Sequence, residues 1–135
     1  MSHAADIDLA GINAELGRNA SALVAWALGL GKQAIVTTNF RPFEAVILHM
    51  VTRVQPDVPV VWMDNGYNTP ATYRYADEVA KLLKLNLKTY LPLRSRAHRE
   101  AVDGPTPAIG AAGHDAFTQE VKLEPFARAL RETAP

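Results

Sequence analysis

Twice in this chain a short apolar run ends in a polar turn that leads directly into a helical pattern. Ile35-Val36 runs into Thr37-Thr38-Asn39-Phe40-Arg41-Pro42, and Val60-Val61-Trp62-Met63 runs into Asp64-Asn65-Gly66-Tyr67. Repetition of strand, turn and helix requires crossover connections, and these build a parallel sheet. Turns that follow neighbouring parallel strands lie side by side at the carboxyl edge of the sheet, where open α/β sheets bind nucleotides. The pattern speaks of binding more directly than of reaction.

The remaining segments extend the same architecture. Residues 6–29 read as helix in two pieces, with Asn19 or Ser21 placed to cap the second and Gly29 and Gly31 placed to stop it through positive φ. A first strand is expected at 33–38. From 43 to 54, Phe43, Val46, Ile47, Met50, Val51 and Val54 follow helical spacing, and Ala45 and Leu48 widen the stripe, so cover on more than one side is expected. The valine-rich run at 58–63 suits a central strand buried on both faces. Thr69-Pro70 predicts an N-cap and first-turn proline for a helix over 70–84 that buries Tyr73, Ala76, Val79, Ala80, Leu82 and Leu83. A third strand is expected over 86–91. Residues 92–120 carry Pro92, Pro105, Pro107, Gly104, Gly110 and Gly113 and read as a long, mobile loop, followed by a short helix at 124–133 with Pro125 in its first turn. The expectation is one domain spanning 1–135.

Composition removes several function classes. The sequence has 135 residues with 14 basic and 14 acidic side chains, so no global field attracts nucleic acid or an anionic membrane. No apolar run approaches the roughly 18 residues of a membrane span. The first residues lack the basic and apolar regions of a signal peptide, so a cytoplasmic setting is expected. Cysteine is absent from the sequence, which leaves it no thiol nucleophile and no thiolate metal site. His3, in an expected disordered terminus, and His49, His98 and His114 are scattered and suggest no metal site, and no cofactor is expected.

The stretch from Gln55-Pro56-Asp57-Val58-Pro59-Val60 through Asp64-Asn65-Gly66-Tyr67, Pro70 and Thr72-Tyr73-Arg74 to Lys84-Leu85-Asn86-Leu87-Lys88-Thr89-Tyr90 resembles the phosphoadenosine phosphosulfate (PAPS) reductase family. A further echo runs from Val121-Lys122-Leu123-Glu124-Pro125 to Leu130. The family belongs to the adenine nucleotide α-hydrolase-like (PP-loop) superfamily. The resemblance implies a three-layer α/β fold, a parallel sheet with helices on both faces. It implies a ligand as well: PAPS, APS or adenosine bisphosphate held by Thr37, Thr38, Asn39, Phe40 and Arg41 after the first strand and by Met63, Asp64, Asn65 and Gly66 after the second. The family reduces its sulfonucleotide to sulfite with thiol electrons from thioredoxin or glutaredoxin.

Three departures stand out. Arg41 replaces a usual glycine and is followed by Pro42, and Asn39 stands where a small residue is common. The family's second half, with a later strand, an arginine-rich loop and the catalytic cysteine, has no counterpart in this sequence, so catalysis is expected to need residues outside it.

Structural readings stand beside the functional ones. Thr37, Thr38 and Asn39 are also suited to ending a strand and capping a helix, although the resemblance favours an anion site, and Arg41 is equally suited to solvation. Tyr67 and Tyr73 read as packing residues, Glu124 and Pro125 as a structural landmark. Arg94, Arg96 and Arg99 are either a solvated cluster or contacts for the ligand's outer phosphates. Two other functions remain open. One is a non-catalytic module that dimerises or completes its sheet with a partner, because the first strand would show a bare edge. The other is hydrolysis of an α–β phosphate bond, for which Thr38-Asn39-Phe40-Arg41 lacks the glycine-rich loop.

Overall fold

The computed structural model describes residues 7–31 and 33–133. His3 and the predicted helix start at Asp6 lie outside the described residues. The chain divides into two compact units, Met1–Lys32 and Gln33–Pro135.

In the first unit, α1 (Leu9–Leu16) is capped by Asp8, which accepts the Gly11 N–H at 2.9 Å, and α2 (Ala20–Leu28) by Asn19, which accepts that of Ala22 at 3.0 Å. Asn19, not Ser21, is therefore the cap. Gly29 closes α2 at φ −81°, an ordinary right-handed conformation, so the helix stop needs no left-handed residue there; Gly31 does adopt φ +72°.

The second unit is built on three parallel strands in the order β1 (Val36–Thr38), β2 (Pro59–Met63), β3 (Asn86–Tyr90), with Thr38 opposite Trp62 and Met63 opposite Tyr90. The first strand is three residues long, shorter than the predicted 33–38. Val58, Val60 and Val61 have no exposed surface, as a central parallel strand requires.

Alternation along β2 divides the core. Val61 packs with Tyr90 and Ala129 of α7 (Glu124–Thr133), and Ile35 and Met63 join from the same face. Trp62 points the other way, to Phe40 and to Tyr73 of α4 (Pro70–Leu82). Helices thus cover both faces, as the resemblance implies. Thr69 and Pro70 start α4 as predicted, with Thr69 Oγ1 accepting the Thr72 N–H at 3.2 Å.

Three expectations are corrected. In α3 (Glu44–Val54) the buried residues are Leu48 and Val51, while Phe43 at its N-cap is 90% exposed and Val46 61%. The helix is covered on one side only, because the sheet offers it one face. In α4, Ala76 and Val79 are buried but Leu82 is 79% exposed, while its neighbour Leu83 is half-buried, so Leu82 lies on the outer face of the helix. The predicted loop at 92–120 contains α5 (Arg96–Asp103), α6 (His114–Thr118) and the start of a π-helical turn (Gln119–Leu123) that runs into α7. Ser95 starts α5 by accepting the His98 N–H at 3.1 Å, and an Arg96–Glu100 pair spans one turn. The buried residue of α5 is Arg99, so apolar periodicity could not reveal it.

Candidate functional site

Both strand ends turn as the sequence predicts, and each turn is closed by its own hydrogen bonds. At the first corner, the Thr38 hydroxyl accepts the Phe40 N–H at 2.9 Å and donates to Glu44 Oε2 at 2.7 Å. The same carboxylate oxygen accepts the Asn39 N–H at 2.7 Å. Phe40 is held at φ +54°, a conformation that costs a side-chain-bearing residue roughly 1–3 kcal/mol and persists only where its surroundings offset that cost. Here the ring meets Trp62 edge-on with centroids 5.0 Å apart. The left-handed position is Phe40, not Arg41, so the backbone does not demand glycine at 41.

Burial opposes ionisation of Glu44. Its bonds from Thr38 and from the Asn39 and Arg41 backbone, with the nearby Arg41 charge, outweigh that and hold it below the usual carboxylate value.

At the second corner, Asp64 Oδ1 accepts three bonds: from the Gly66 N–H at 3.0 Å, Asn68 Nδ2 at 3.0 Å and the Tyr73 hydroxyl at 2.8 Å. Asn65 Oδ1 accepts the Tyr67 N–H at 2.8 Å. Gly66 sits at φ +81°, and a Cβ there would lie 3.6 Å from Arg96 Cβ, so the turn requires glycine for its conformation. Burial and the Asp64 carboxylate both raise the Tyr73 pKa, which keeps the phenol a donor. Helix α4 ties the corners together, because Tyr75 OH also donates to the Pro42 carbonyl at 3.1 Å.

Between the corners lies a polar cavity of about 320 Å³. Asn39, Phe40, Arg41 and Pro42 line it from the first corner, Asn65 and Asn68 from the second. Thr72 of α4 and Lys122 of the π-helical turn complete the wall. Two cations and several amides, with no carboxylate in the lining, suit an anion that also presents hydrogen-bonding groups.

Of the expected site residues, Asn39, Phe40, Arg41 and Asn65 meet at this cavity, while Thr38 and Asp64 brace the turns beneath it. Gly66 gives the second turn its shape. Thr37 is exposed on β1, and Met63 packs toward Ala129 on the far face of the sheet.

Asn68, Thr72 and Lys122 are not among the site residues expected from the sequence, although Thr72 and Lys122 fall in stretches that carry the family resemblance. Asn68 and Thr72 flank the recognisable Thr69-Pro70 helix start. Nothing in the sequence marks Lys122 as a site residue, because its approach to the cavity depends on a π-helical turn. Such turns recur at functional sites.

The clustered arginines are committed elsewhere. Arg94 pairs with Glu120 at 2.7 Å and Asp103 at 2.6 Å, and Arg96 with Glu100 at 2.9 Å. Arg99, 4% exposed, donates to Tyr67 OH at 2.9 Å and lies 4.6 Å from the Phe117 ring centre. Among the described residues no group of three or more His, Cys, Asp or Glu side chains is arranged to hold a metal.

A parallel sheet with helices on both faces and a polar cavity between two strand-end turns defines an open α/β domain. The sequence profile of the phosphoadenosine phosphosulfate reductase domain matches residues 33–134, and the chain belongs to this family. It is 46% identical over 127 residues to a phosphoadenosine 5′-phosphosulfate reductase of Xanthomonas axonopodis pv. citri (strain 306), covering 93% of this chain and 53% of that protein. A reductase of the same name from Xylella fastidiosa (strain 9a5c) is 44% identical over 110 residues, 81% of this chain and 46% of that one. The chain therefore spans about half the length of the curated relatives it matches. Among solved structures, a phosphoadenylyl-sulfate (PAPS) reductase from Candida auris, in a phosphate complex, superposes with a TM-score of 0.77 at 25% identity, over 92% of this chain and 61% of that one.

Proposed function

We propose that this chain is the nucleotide-binding part of a PAPS reductase and that the cavity between its two corners receives the adenylated sulfonucleotide. The observation that carries this reading is the convergence of Arg41 and Lys122 on a polar cavity bounded by both turns. Its volume of about 320 Å³ falls at the lower end of small-molecule sites, about 300–1,000 Å³. The names of the relatives and the phosphate in the Candida auris structure point the same way.

In this reading Arg41 and Lys122 meet the ligand's anionic groups, and the amides of Asn39, Asn65 and Asn68 bond to its polar edge. Thr38, Asp64 and Gly66 hold the two turns in place. The reaction is reduction of the sulfonucleotide to sulfite, within cytoplasmic sulfate assimilation. It needs a thiolate, and with no cysteine in the sequence the thiol comes from outside these residues, with thioredoxin or glutaredoxin as the electron source. The chain's own part is to bind and orient.

Calorimetric titration with adenosine 3′,5′-bisphosphate, ATP and FAD tests this. Preference for the bisphosphate is expected. Arg41→Ala and Lys122→Ala should each weaken it by about 1–3 kcal/mol, the usual range for a charge-assisted contact. Silence toward all three ligands contradicts the reading.

A second reading is association, favoured by the open side of β1, which among the described residues pairs with β2 alone. A bare parallel strand offers unpaired N–H and C=O groups to a second copy or to another polypeptide that extends the sheet.

A further inference from the structure

Glu44 is the residue the binding proposal leaves without a role. The Thr38 hydroxyl and the Asn39 N–H converge on its Oε2, each at 2.7 Å. Two donors meeting one anionic oxygen at a helix start is the arrangement a phosphate oxygen receives. Glu44 is the first residue of α3, so its carboxylate also lies where the helix dipole favours negative charge. Arg41 and Lys122, in contrast, reach the cavity with no ion pair within 4.0 Å among the described residues.

We infer that Glu44 is a specificity-determining residue of this site: its carboxylate takes the loop's donors, so a ligand's anionic group is received at Arg41 and Lys122 and not by the loop. The inference rests on the nucleotide reading of the cavity and names which of its donors the ligand finds. A phosphate at the loop would meet a carboxylate already seated on its donors, and the two like charges at contact distance repel. Neutral ligand edges and anions reaching past the loop are admitted; an anion bound through Thr38 and Asn39 is refused. A merely structural Glu44 predicts the opposite sign, since its removal would loosen the loop and weaken every ligand.

The test is a ¹H–¹⁵N titration of the full chain with inorganic pyrophosphate and, separately, adenosine 3′,5′-bisphosphate. In the wild type, pyrophosphate is expected to shift the Arg41 and Lys122 amides and to leave those of Asn39 and Phe40 unmoved. In Glu44→Ala, pyrophosphate should also shift the Asn39 and Phe40 amides, and its affinity should rise about tenfold or more. Glu44→Gln keeps an acceptor oxygen but removes the charge. It should give a smaller gain, and it serves if the alanine variant loses spectral dispersion.

A wild-type Asn39 amide that shifts with pyrophosphate overturns the inference without any variant. Bisphosphate binding by the wild type, with both variants equal or weaker, overturns the inference and leaves the nucleotide reading standing. A wild type that binds neither probe, beside an alanine variant that binds pyrophosphate at Asn39, supports the role of Glu44 and removes the nucleotide reading. Absence of binding in all three proteins overturns both.

Discussion

Thr38 is 3% exposed, and its hydroxyl is both acceptor and donor, bonding Phe40 on one side and Glu44 on the other. Thr38→Val keeps the shape and leaves a buried N–H and a carboxylate short of a partner. It should cost about 1–3 kcal/mol in denaturant unfolding, whereas Thr38→Ser should cost less than half of that. Equal stability of the valine variant would remove this hydroxyl from the account. Glu44 adds a pH signature. Its folded pKa lies below its ordinary value of 4.5, because the bonds from Thr38 and the loop backbone outweigh burial. The stabilisation is therefore present at neutral pH and is lost as pH falls below 4.5 and through the lower folded value. Unfolding followed from pH 7 to pH 3 should show a shallower acid decline in Glu44→Gln than in the wild type. Parallel curves would contradict the assignment. The polar turns were legible in the sequence because threonine, asparagine, aspartate and glycine announce turns wherever they cluster. That Glu44 reaches back to them was not, since a glutamate six residues from Thr38 looks like any first-turn helix acid.

Helix α3 shows how far apolar spacing alone can mislead. Phe43, Val46, Ile47 and Val54 follow helical periodicity, yet the side that meets the sheet carries Leu48, 1% exposed, and Val51, 5% exposed. A helix apolar most of the way round does not announce which side is covered. Leu48→Ala should destabilise by about 2–5 kcal/mol through lost burial and the cavity left behind, while Phe43→Ala, at a 90% exposed position, should stay within about 0.5 kcal/mol. Similar losses in both would mean that the outer side is covered in solution. Helix α5 is the reverse case: its inward side is Arg99, stacked on Tyr67 and Phe117, and so it read as a loop. By contrast, α4 was placed closely, since Thr69-Pro70 marks a helix start by backbone chemistry, independent of what the helix covers; α7 was placed at its observed bounds, although there the helical backbone already runs in from the π-helical turn.

At the scale of the whole molecule, the parallel sheet was legible because strand–turn–helix repetition leaves few other topologies. The cavity at its edge followed from the same rule, but Lys122 did not, as its approach depends on residues 92–123 folding back over the strand ends. The strand order leaves β1 with one partner among the described residues, so light scattering after size exclusion at micromolar concentration should report a mass above that of a single chain. A clean monomer would count against the association reading and leave nucleotide binding untouched. The central claim is that the space between the two corners is shaped for an adenosine-bearing anion. A crystal of this chain grown with adenosine 3′,5′-bisphosphate tests it most directly. The account predicts the ligand in the cavity walled by Asn39, Asn65 and Thr72, with phosphate oxygens about 2.7–2.9 Å from Arg41 and Lys122 nitrogens. A ligand bound elsewhere on the chain, with this cavity filled only by solvent, would contradict it.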